Sequence, residues 1–134
     1  MRLLTFIGLM FFNVVSFANA ILCPPVDIIR LGSSKIDYAQ PQTKKYYVAQ
    51  SSLPIYRSEN IDWFIATLAF NVKDEANAIR KAQLKVSRVT TSANTEAKHQ
   101  DDYYECGYDN FSVIAWGKIN EHTLVNPAQL NFNR

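Results

Sequence analysis

Ile61-Asp62-Trp63-Phe64-Ile65-Ala66-Thr67-Leu68-Ala69-Phe70-Asn71-Val72 is the most apolar stretch that follows the first twenty residues. Its length and its aromatic and β-branched content suit a central strand. Ser58-Glu59-Asn60 in front of it reads as a turn, and Pro54 separates that turn from an earlier run, Lys45–Ser51, that also favours a strand. Upstream again, Lys35–Lys44 is polar and contains Pro41, which suggests a loop with an edge strand around Ile36–Tyr38. Val26–Leu31 follows two prolines and is stopped by Gly32-Ser33-Ser34, the punctuation of one or two helical turns.

On the other side of the central stretch, Asp74-Glu75-Ala76 places carboxylates where a helix dipole favours them. Val72, Ala76, Ile79 and Gln83 then recur at helical spacing, whereas Leu84 and Val86 alternate with Lys85 and Ser87. Two readings stand at this point. Asp74–Val89 is one helix, or a helix ends near Ala82 and a strand continues to Thr91. Thr91–Gln100 is polar and reads as a mobile loop. Asp102–Tyr108 and Phe111–Ile119 read as strands joined at Asp109-Asn110, and the tail from about residue 120 is polar and expected to be loose. Short segregated strands with one or two helices give an α+β domain on a small antiparallel sheet. The alternative, an all-β sandwich, applies if the Asp74 segment is mostly extended.

The N-terminus has the three parts of a secretory leader. Arg2 supplies the positive start, Leu3–Phe17 is predominantly apolar, and Ala18-Asn19-Ala20 has the small-x-small pattern of a cleavage site. The apolar run is shorter than the roughly 20 residues that span a bilayer, so residues 1–20 are expected to be removed, with no stable membrane anchor left. Residues 21–134 then form one domain in the periplasm or outside the cell. Phe6, Phe11, Phe12 and Phe17 depart with the leader, and the remaining aromatics are mostly tyrosines, which suit half-exposed positions. The formal net charge of +2 for the whole chain is too balanced for a nucleic-acid footprint.

Two cysteines remain, Cys23 and Cys106. An oxidising compartment and an even count predict a bond between them. Closing so long a loop is worth about 4–5 kcal/mol by chain entropy, a large share of the ~5–15 kcal/mol that holds a small domain together.

Signals for chemistry are sparse. Cys23-Pro24 is a dipeptide in which the thiolate can serve haem iron, so haem is kept as an alternative cofactor, with His and Tyr as further ligand types. His99 stands close to Asp101, Asp102, Glu105 and Asp109, but the spacing fits neither a calcium loop nor a zinc motif, and no metal site is assigned. His122 follows Glu121, and neighbours in sequence rarely face each other. No Gly-x-Ser-x-Gly elbow and no thiol-protease signature surrounds a nucleophile, so no catalytic residue is assigned. A small secreted hydrolase or a thiol enzyme built on Cys106 is a second alternative. Tyr47, Trp63, Tyr104, Tyr108 and Trp116 are the candidate recognition residues, because adjacent tyrosines on a strand send one ring to each face.

Cys23-Pro24 just after the leader, Trp63 in the central strand and Cys106-Gly107-Tyr108 on a late strand resemble small exported proteins of unknown function from Legionella-type gammaproteobacteria. The resemblance implies a periplasmic or secreted location. Some of those proteins carry a haemin-binding label, which keeps haem as an alternative here. It carries over no active site. The resulting expectation is a disulfide-stapled, non-enzymatic binding or accessory domain whose partner is a protein, a peptide or a glycan.

Overall fold

The computed structural model describes residues 20–92, 95–119 and 122–133. The leader read over residues 1–20 therefore lies outside the described residues except for Ala20, as do Ala93, Asn94, Asn120, Glu121 and Arg134.

The elements run α1 (Val26–Leu31), β1 (Ile36–Pro41), β2 (Tyr46–Ser51), β3 (Tyr56–Ser58), β4 (Ile61–Phe70), α2 (Glu75–Ser87), β5 (Lys98–His99), β6 (Tyr103–Tyr108) and β7 (Val113–Lys118). The strands form one antiparallel sheet in the order β1-β2-β4-β7-β6-β5, with β3 also paired to β4. The α+β expectation holds, and the stretch from Ile61 is the central strand. Its hairpin with β3 turns on Glu59 and Asn60, both at positive φ (53° and 63°). That is the backbone twist a two-residue hairpin between right-twisted strands demands.

Asp74–Val89 resolves as one helix with its exit, not helix then strand. Asp74 caps it, its carboxylate accepting from Asn77 N at 2.8 Å. The buried stripe is Ala78, Ala82 and Val86 at i, i+4 spacing. The stripe read from the sequence is displaced from this one because alanine carries little hydrophobic signal, yet it is the residue that lets a helix lie close on a sheet. The apparent alternation near Leu84 arises because Leu84 is exposed and Lys85 lays its stem along the protein, its ammonium donating to Leu68 O at 3.1 Å.

Alternation along the strands splits the core in two. One face carries Ile36, Ala39, Ala49, Ile61, Trp63, Ile65, Ala69, Cys106, Tyr108, Val113 and Ala115. Helix α2 covers the β1-β2-β4 half of it. The β6-β7 half lies beneath the N-terminal segment. Ala97 N donates to Ile21 O at 2.7 Å, Cys23 N donates to Thr95 O at 2.9 Å, and Cys23 is disulfide-bonded to Cys106. Gly117 exists for Trp63: a Cβ there would sit 2.6 Å from Ile61 Cγ2 and 3.2 Å from the indole.

The opposite face carries Val48, Phe64, Ala66, Leu68, Tyr103, Ile114 and Trp116, covered by Leu130 and Phe132. The polar tail expected to be loose thus includes a strap. Leu130 and Phe132 fall two apart with Asn131 between them, so both apolar side chains reach the sheet while the chain runs over it. Asn133 N donates to Phe111 O at 3.1 Å. The Thr91–Gln100 segment is also partly tied, through β5 and the bridges Leu22–Glu96 and Ser92–Tyr108.

Candidate functional site

The five aromatic candidates do not form one surface. Trp63 and Tyr108 are completely buried on the helix-covered face. Tyr47 and Tyr104 are half-buried on that same face; the Tyr47 hydroxyl donates to Lys73 O at 3.4 Å, and the Tyr104 ring meets His99 edge-on at 5.2 Å. Trp116 lies on the opposite face, stacked on Phe64 at 4.4 Å and 8 % exposed. The alternation expected for adjacent tyrosines is present, but both faces are covered, and of the five candidates only Tyr47 and Tyr104 remain partly exposed.

The His99 neighbourhood is dispersed by the same alternation. Asp109 turns to α2, accepting from the backbone N–H and hydroxyl groups of Thr90 and Thr91 at 2.9–3.2 Å. Burial alone would raise its pKa, but these four donors hold it below the usual carboxylate range. Glu105 goes under the strap. Among the described residues no three His, Cys, Asp or Glu side chains gather as metal ligands. The Cys23–Cys106 bond leaves neither sulfur as a thiolate, which removes the Cys23 route to haem iron and the Cys106 nucleophile.

Glu105 is the polar feature that sequence reading missed. It is 2 % exposed, accepts from Asn131 Nδ2 at 3.3 Å and faces the Tyr103 hydroxyl at 3.5 Å. Burial raises its pKa, against the opposing effects of Asn131, Lys98 and Tyr103. Its cross-strand neighbour is Trp116, whose indole N–H has no partner among the described residues. The only signal in the sequence was a single acid in an otherwise apolar strand.

The open, charged feature lies elsewhere, at the end of the sheet where β4 hands over to α2. Beyond Thr67, β4 outruns β7, so among the described residues one edge of Leu68–Phe70 has no strand partner. Lys85 and Lys81 fill it from the helix, donating to Leu68 O and Phe70 O. Beside them is a groove of about 510 Å³ lined by Asn71, Val72, Lys73, Asp74, Asn77, Arg80, Lys81 and Leu84. A second groove of about 520 Å³ continues past Lys73 and Val72 to Tyr47 and the β1–β2 turn with Lys44. The turns are held together by Asn71 N donating to Lys45 O at 3.4 Å and by the Tyr47–Lys73 bond. Leu84 is 50 % and Phe70 41 % exposed beside these cations. The ion pairs among the described residues are Arg30–Asp27 and Arg57–Asp62, so Lys44, Lys73, Arg80 and Lys81 carry unneutralised charge. Tyr47 alone of the expected recognition residues lines this track. The cations were present in the sequence, but they come from three separated segments and the balanced net charge concealed them.

Compared with protein-family models, curated proteins and solved structures, the chain matches none.

Proposed function

We propose that the chain is an exported, disulfide-stapled binding or accessory domain of the periplasm or extracellular space, which acts by recognition and not by turnover. The observation that carries this reading is the Cys23–Cys106 bond. It joins positions 83 apart in sequence and pins the segment just after the leader onto β6, an arrangement that needs an oxidising compartment to form and persist. The leader pattern of residues 1–20 supports export independently. Support for recognition comes from the paired grooves around Lys73, where free cations border exposed apolar side chains.

The reading is tested by photocrosslinking in the exporting host, with a benzophenone side chain placed at Leu84, in the groove, or at Leu31, which is also exposed but lines neither groove. A discrete adduct from Leu84 and none from Leu31 is expected. Equal labelling from the two positions, or no adduct from Leu84, contradicts a recognition surface at this end.

A further inference from the structure

We infer that the track along Lys73 receives an acidic, extended peptide segment of a partner protein, with an apolar side chain of that segment seated on Val72 and Leu84 between carboxylates held by Lys73 and Arg80. The inference rests on the binding-domain reading and names its partner.

Charge complementarity sets the sign of the partner. Lys44, Lys73, Arg80 and Lys81 converge from the β1–β2 turn, the β4–α2 turn and α2, and none of them is ion-paired among the described residues. Two acids stand nearby and keep their charge, so the track is cationic by excess, with four cations against Asp74 in its lining. Asp74 accepts from Asn77 N and Nδ2, and Glu75 accepts from Ala39 N at 3.4 Å on the β1 edge. The neighbouring hollow is lined by Asp74, Glu75 and Arg80, so the acids border the track at Arg80 and its most cationic part runs from Lys81 and Lys73 to Lys44.

Shape and polarity select among anions. Two grooves sharing Val72 and Lys73 make an elongated track, longer than a compact anion needs and fitted to an extended chain. Its lining is mostly apolar between the cations, at Val72 and Leu84, which suits an apolar side chain of a peptide. It is shallow and open, and it carries the Asn71 and Asn77 amides, whereas a bilayer surface offers no fixed hydrogen-bond geometry to meet them. A peptide alternating carboxylates with an apolar residue meets all three conditions, with charges steering the encounter and the buried side chain holding it.

The test uses residues 21–134 with the disulfide formed and a fluorescein-labelled peptide Glu-Asp-Leu-Phe-Asp-Glu, read by anisotropy at low salt. Saturable binding is expected, weakened about tenfold by K73E/R80E, which reverses two of the four cations of the track. The pair K35E/R88E, equal in charge and outside the track, should change it less than about twofold, and L84S should weaken it severalfold. Circular dichroism of each variant confirms that it is folded. Equal loss in the two double variants overturns the inference, because the charge effect is then nonspecific. Binding to phosphatidylglycerol vesicles in place of the peptide also overturns it, while leaving a binding domain in place. If the protein binds neither probe and Leu84 gives no crosslinked adduct in the host, the inference and the broader reading fall together.

Discussion

The Tyr108 hydroxyl donates to the carbonyl oxygen of Pro24, across 84 positions of sequence and with the phenol fully buried. Pro24 directly follows Cys23, and Tyr108 lies two residues beyond Cys106 on the same face of β6. The disulfide and this hydrogen bond therefore fasten the same two segments side by side. Tyr108→Phe leaves the Pro24 carbonyl buried without its donor, a loss of about 1–3 kcal/mol. Urea denaturation should show a lower midpoint with an unchanged slope.

Removing the covalent half of this fastening should cost more. Cys23→Ser/Cys106→Ser frees a loop of 83 positions, with an expected loss of about 2–5 kcal/mol. Adding Tyr108→Phe to the double variant should then cost less than it does in the stapled protein, because the segment it holds is already loosened. The denaturation curves of the parent, Tyr108→Phe, the double cysteine variant and their combination measure this coupling.

Alkaline pH should unfold the domain through its buried phenols. Burial pushes Tyr103 up to about 12, with the Glu105 carboxylate adding to the shift, and burial raises Tyr108 further. A phenol whose folded pKa lies above the unfolded value near 10 contributes stability that is intact below that pH. The stability is lost as pH rises through the folded value. Ultraviolet titration of phenolate should show a late fraction that ionises together with loss of the near-ultraviolet dichroism. Tyr108→Phe should reduce that fraction.

At acid pH, Asp109 and Glu105 act in opposite directions. Asp109 is held below its ordinary pKa, so its stabilisation is present above about pH 4 and disappears as pH falls through the folded value. Glu105 is raised, so its contribution is greatest at low pH and is lost as pH rises from the ordinary glutamate range. Asp109→Asn should therefore destabilise at pH 7 and progressively less as pH falls below about 4. Glu105→Gln, which keeps an acceptor for Asn131, should become relatively more stabilising from pH 4 to pH 8. Thermal denaturation from pH 8 down into the acid range below pH 4 checks both signs.

Gly117→Ala tests the packing of Trp63. The added methyl meets Ile61 Cγ2 and the indole inside normal contact distance, so a loss of about 1–3 kcal/mol is expected. Combination with Trp63→Phe should recover part of it.

Much of the fold was legible because its signals are local. Glu59-Asn60 and Asp109-Asn110 mark tight turns, Asp74 marks a helix start, and the run from Ile61 marks the strand that both halves of the sheet pair with. Ala78 and Ala82 were misread because small residues hide a helix face. The strap was missed because two apolar residues, Leu130 and Phe132, are enough to cover the far face of the sheet within a polar tail. The candidate site was the least legible part. Tyr47 was chosen and does line the track, but Trp63, Tyr108 and Trp116 were chosen for chemistry that burial withholds from solvent. The grouping of Lys44, Lys73 and Arg80 exists only after β2, β4 and α2 have been brought together.

The central claim, an exported domain stapled through Cys23, is tested most directly by the intact mass of the protein recovered from its exporting host, with thiol alkylation before and after reduction. The predicted result is a chain beginning at Ile21 that takes up no alkylating agent until reduced and then takes up two equivalents. A chain that retains residues 1–20, or two cysteines alkylated without reduction, would contradict it.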